Sequence, residues 1–152
     1  MAQKTFISEI LTASDVNTFL MGEGGAWTSW TPVVTQGVNV TVTNTRSRFA
    51  RYGRTIHFQT RLAVTGTGTA ANVISITLPA TAASSNVGAG GGNIVDLGAS
   101  TYHVGEVEFT STTAFSLIPA VGGVNYLGAV GFTAALAAGD TITVSGTYEA
   151  AS

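Results

Sequence analysis

Between Thr55 and Val64 the chain alternates strictly: Ile56, Phe58, Leu62 and Val64 fall on one side of an extended segment, His57, Gln59 and Arg61 on the other. A side-chain period of two belongs to a strand with one face buried and one wetted. The same alternation recurs in Val38, Val40 and Val42, in Ile74, Ile76 and Leu78, and in Ile142, Val144 and Tyr148 with Thr141, Thr143, Ser145 and Thr147 opposite. Weaker strand patterns cover residues 27–35, 47–52, 93–97, 102–109, 114–118 and 124–127. Turn signals divide them at Tyr52-Gly53-Arg54, Gly66-Thr67-Gly68, Gly88 to Gly92, Gly122-Gly123 and Gly139-Asp140. Short strands with no helix between them pair antiparallel, because parallel strands need long crossovers. The pattern therefore predicts an all-β fold, an antiparallel β-sandwich or jelly roll of about eight or nine strands. Thr, Ala, Gly and Val supply 80 of the 152 residues, a composition of strands and small turns.

The first 25 residues differ in kind and are expected to form an N-terminal anchor segment, leaving residues 26–152 as the β-sandwich domain. Thr12 is placed to cap a short helix, with Asp15 three positions on, where a carboxylate meets free amides and the positive helix end. Val16, Phe19 and Leu20 share one face of that helix, and Gly22 suits its end. So short a helix is not stable alone in water. Its apolar face, with Phe6, Ile7, Ile10 and Leu11 before it, must dock on its own sandwich, on a neighbouring subunit or on a larger assembly. Glu23-Gly24-Gly25 reads as a flexible joint between anchor and sandwich.

Several classes of chemistry find no support. Charged residues make up 9% of the chain and the net charge is −2, unlike a basic nucleic-acid binder. There is no cysteine, hence no disulfide scaffold and no thiolate site. No apolar run reaches the roughly 18 residues of a membrane span, and the start does not read as a secretion signal, so synthesis in the cytoplasm is expected. His57 and His103 lack metal-ligand spacing. His103 points away from Glu106 and Glu108 on a regular strand, and those two acids read as a solvated face rather than a glycosidase pair. Gly88-Ala89-Gly90-Gly91-Gly92 precedes no Lys-Ser or Lys-Thr and opens no helix, so it reads as a flexible loop and not a phosphate cradle. No enzyme, metal or cofactor is expected.

Charge is distributed unevenly. Residues 24–95 carry Arg46, Arg48, Arg51, Arg54 and Arg61 and no acid, whereas residues 96–152 carry Asp96, Glu106, Glu108, Asp140 and Glu149 and no lysine or arginine. Arginine forms planar bidentate pairs with carboxylates at interfaces, so these five are candidates for ion pairing between subunits. Trp27 and Trp30 stand three apart on an extended chain and so face opposite ways; one can enter the core while the other meets a neighbour or a sugar ring.

The run Ile10-Leu11-Thr12-Ala13-Ser14-Asp15-Val16-Asn17-Thr18-Phe19-Leu20 resembles the amino-terminal segment of small virion proteins of tailed bacteriophages, especially minor tail proteins. Trp27-Thr28-Ser29-Trp30-Thr31-Pro32, the segment from Phe49 to Phe58, Ile76-Thr77-Leu78-Pro79 and the segment from Gly139 to Glu149 resemble the β-rich domain that follows it. The resemblance spans nearly the whole chain except residues 93–130. It implies a non-enzymatic, homotrimeric virion protein assembled in the host cytoplasm, acting as capsid decoration or as minor tail protein. Its partners would be copies of itself and the major capsid or tail proteins, without nucleic acid or membrane insertion. Attachment would fall to residues 1–30 (Phe6, Ile7, Ile10, Leu11, Val16, Phe19, Leu20, Trp27 and Trp30), and residues 86–92 would form the outward tip. The alternative is a carbohydrate-binding, lectin-like module that holds a host-surface glycan.

Overall fold

The computed structural model describes residues 26–85, 88–119 and 134–151. Strands form over Thr28–Ser29 (β1), Val34–Gln36 (β2), Val38–Val40 (β3), Val42–Tyr52 (β4), Thr55–Val64 (β5), Ile74–Thr77 (β6), Gly88–Asp96 (β7), Thr101–Phe109 (β8), Ala114–Pro119 (β9) and Thr141–Glu149 (β10). All pair antiparallel in a single sheet of order β1-β4-β5-β10-β7-β8-β9-β6-β2-β3. The all-β, antiparallel expectation holds, but among the described residues the hydrogen bonds draw one continuous ten-stranded sheet rather than two stacked ones.

That sheet curls over its own inner face. β5 and β9 stand four places apart, which in a flat sheet would separate them by about 19 Å. Yet the rings of Phe58 on β5 and Phe115 on β9 lie 5.3 Å apart. The curl also brings the two ends together: β3 and β4 sit near opposite ends of the order but only Thr41 separates them in the chain. The Thr41 carbonyl accepts from the Thr65 and Gly66 amides, both at 2.9 Å, which fixes this corner and breaks the Val38, Val40, Val42 alternation into two strands.

β5 follows its sequence pattern residue for residue, with Ile56, Phe58, Leu62 and Val64 buried and His57 and Arg61 exposed. The β4–β5 hairpin turns at Gly53, whose φ of 59° is the left-handed conformation that glycine adopts without strain. Inside the curl, Tyr148 packs edge-on against Phe58 (5.9 Å) and Phe109 (5.1 Å). Its hydroxyl donates to the Ala80 carbonyl at 2.7 Å and accepts from the Ala80 amide at 3.1 Å. Burial pushes that phenol up to about 12, against the opposing pull of the Ala80 hydrogen bond and of the Arg51 charge. Gln36 is fully buried, donating to the Ala134 carbonyl (2.9 Å) and accepting from the Leu136 amide (2.8 Å). Asp140, also buried, accepts from the Leu97 and Ala137 amides at 2.9 and 2.8 Å.

The Gly88 to Gly92 run overturns its reading as a flexible outward loop, since it is the first half of β7, held between β10 and β8 in the interior of the sheet. Side-chain propensity disfavours glycine in strands, but close approach of the neighbouring backbone demands it at Gly90 and Gly92. A Cβ on Gly90 would meet the Ser145 carbonyl oxygen, and one on Gly92 the Thr143 carbonyl oxygen, each at a separation no real side chain tolerates. The short helix, the anchor over residues 1–25 with Phe6, Ile7, Ile10, Leu11, Val16, Phe19 and Leu20, and the strand over 124–127 lie outside the described residues. Among the described residues no helix is long and apolar enough to cross a membrane.

Candidate functional site

In an antiparallel ladder, directly opposite residues share a face, so the register assigns the sheet's outer surface row by row. One row crosses β4, β5, β10, β7 and β8 as Arg48, Gln59, Ser145, Gly91 and Glu106. The next carries Ala50, His57 and Thr147, and the one beyond it Tyr52, Thr55 and Glu149. Where these rows meet, small residues leave a groove of about 600 Å³, open to solvent. Trp27, Tyr52, His57 and Gln59 wall it, and Gly90, Gly91, Ser145 and Gly146 line its base.

The walls are held in place. The Arg48 guanidinium lies 4.6 Å from the centre of the Trp27 ring, a cation–π contact. With its amide oxygen turned to Arg48, Gln59 accepts from both Nε and Nη2 of that guanidinium. The Thr147 hydroxyl and His57 Nδ1 are hydrogen-bonded at 2.9 Å. Tyr52 meets the His57 ring edge-on at 5.8 Å. None of the described residues lining the groove is an acid, a lysine or an arginine. The arrangement presents aromatic surface beside neutral hydrogen-bonding groups, which is chemistry for binding an uncharged, amphipathic ligand.

The two tryptophans divide as their spacing requires. Trp30 is buried, its carbonyl accepting from the Asn44 amide at 2.9 Å, and Trp27 is half exposed on the outer face. Three of the five arginines find partners inside the chain besides any between subunits. Arg48 engages Trp27 and Gln59, Arg51 donates to the Gly53 carbonyl at 2.7 Å, and Arg54 bonds the Ala150 carbonyl (3.2 Å) and pairs with Glu149 at 3.3 Å. Arg46 and Arg61 stand directly opposite each other and both exposed, a like-charge pair without an acid partner among the described residues. His57 and His103 lie on different strands, β5 and β8. His103 is half-buried on the inward parity of β8, within 3.0 Å of the Thr101 hydroxyl, while Glu106 and Glu108 take the other parity. Among the described residues no group of three His, Asp or Glu is placed to hold a metal ion.

Sequence reasoning missed Tyr52, His57, Gln59, Gly91, Ser145 and Thr147 as a unit. Their shared outward parity was the available signal, but their adjacency depends on strand order. Compared with protein-family models, with curated proteins and with solved structures, the chain matches none.

Proposed function

We propose that this chain is a non-enzymatic structural protein of a tailed-bacteriophage virion, a surface-exposed homotrimer attached through residues 1–25 and serving as capsid decoration or as minor tail protein. The reading draws on the resemblance set out above, and one structural observation supports it. Among the described residues, the core that Trp30, Phe58, Phe109, Phe115, Ile142 and Tyr148 fill comes from the sheet and its borders, and the first strand in the chain, β1, lies at the sheet's edge. A segment that precedes an edge strand can be removed without taking a strand out of the sheet's interior.

Deleting residues 1–25 tests this. The truncated protein is expected to keep a cooperative thermal transition and a β-type circular dichroism spectrum, and to stop co-sedimenting with particles. Continued co-sedimentation would overturn the anchor assignment, and a full-length mass in sedimentation equilibrium other than three times 15.4 kDa would overturn the trimer. The outer-face groove favours a second reading, a glycan-binding module that contacts the host surface.

A further inference from the structure

We propose that the outer-face groove is a binding site for an uncharged pyranose within a glycan chain, with Gly91 as the floor that admits the sugar. This names the ligand of the second reading above and rests on it.

Four glycines meet at the centre of the sheet, and three of them answer to the fold. A Cβ at Gly90, Gly92 or Gly146 would strike a carbonyl oxygen of the adjacent strand: Ser145, Thr143 and Ala89 respectively. Gly91 differs. Among the described residues a Cβ there would find only the Gly105 carbonyl oxygen, at 3.4 Å, which is ordinary contact, and its φ lies outside the left-handed region. A glycine in a strand interior weakens the strand relative to alanine. The register shift in this run falls earlier, between Gly88 and Gly90, and with no neighbouring backbone requiring a glycine at 91, room for something that approaches from outside is the reason that fits. Gly91 is exposed, and the space it vacates is the floor of the groove.

The walls describe that visitor. A pyranose has an apolar face of C–H groups and a rim of hydroxyls. Tyr52 and Trp27, each 47% exposed, offer ring surface for the first. Neutral donors and acceptors serve the second. His57 bonds the Thr147 hydroxyl through Nδ1, which leaves Nε2 as a further polar atom; Gln59, its oxygen engaged by Arg48, keeps its –NH2; and Ser145 is exposed. The described lining carries no lysine or arginine to pair with a sialic or uronic acid, and the open form suits one unit of a longer chain rather than an enclosed metabolite.

The test uses the full-length protein against immobilised neutral and acidic oligosaccharides, followed by saturation-transfer NMR with the methyl glycosides of glucose, galactose, mannose and N-acetylglucosamine. At least one neutral sugar is expected to bind, and Gly91→Val to weaken it at least about tenfold while leaving the melting temperature unchanged or higher. Tyr52→Ala should weaken it similarly and guards against misfolding of the first variant. Binding that survives both substitutions would overturn the groove assignment and leave the glycan-binding reading intact. Binding of acidic sugars alone would overturn the inferred ligand class. No binding at up to about 10 mM sugar would overturn the inference and the second reading together, while the virion reading stands or falls on the truncation.

Discussion

Replacing Gly92 with alanine puts the packing of the sheet's centre to a quantitative test. The new Cβ would collide with the Thr143 carbonyl oxygen and stand 2.9 Å from Val144 Cγ2, where carbon atoms settle near 3.5–4.0 Å. Relief requires β7 and β10 to part by about 0.6–1 Å, enough to break two or three ladder hydrogen bonds worth about 0.5–1.5 kcal/mol each. With the strain of overpacking, the expected destabilisation is about 3 kcal/mol. For a chain of this length each kcal/mol moves the melting temperature by about 2–4 °C, so calorimetry should record a fall of roughly 6–12 °C. Gly91→Ala, one residue along, is the internal control: with open space outside and ordinary contact to Gly105, it should be neutral or stabilising by up to about 1 kcal/mol. Urea titration of both proteins with unchanged m-values would confirm that the native state alone is affected. Adjacent alanines that differ by less than about 1 kcal/mol would refute the close-approach account of this strand.

Three further outcomes follow from buried polar groups. The unfolded chain ionises Tyr148 near its ordinary value of 10.0 and the folded chain only at about 12, so the folded state resists losing that proton. Stability from this source is complete below pH 10 and lost as pH rises towards 12, roughly 1 kcal/mol by pH 11, and Tyr148→Phe should flatten that decline in a pH series of urea midpoints. Gln36→Leu strips the Ala134 carbonyl and the buried Leu136 amide of their partners and is expected to cost about 2–3 kcal/mol, with faster hydrogen exchange at Leu136 as its local signature. Asp140→Ala frees the Leu97 and Ala137 amides together; a cost below about 1 kcal/mol would show that solvent replaces the carboxylate.

What could be seen in advance was whatever a single strand carries within itself. The bounds of β5, the inward set on β10 and the opposite facing of Trp27 and Trp30 all follow from period two, because each is a property of one extended segment. The arginine block was visible as charge, but not its partners: Trp27, Gln59 and Glu149 reach Arg48 and Arg54 through folding alone. The groove was hidden for the same reason. Tyr52, His57, Gly91 and Ser145 come from four strands, and nothing in the linear order states that β10 inserts between β5 and β7.

The glycine run shows how a residue without a side chain escapes pattern reading and still obeys it. Alternation assigns Gly90 and Gly92 to the inward parity, opposite Gly146 and Val144, and Gly91 to the outward parity, opposite Ser145. On the inward side a Cβ is forbidden by the next strand's backbone; on the outward side it is permitted and missing. Three consecutive identical residues thus answer to two different constraints, one imposed by the sheet and one by the space outside it. Substitution separates the two: damage at Gly92 should appear in the melting temperature, and damage at Gly91 in what the outer face can hold.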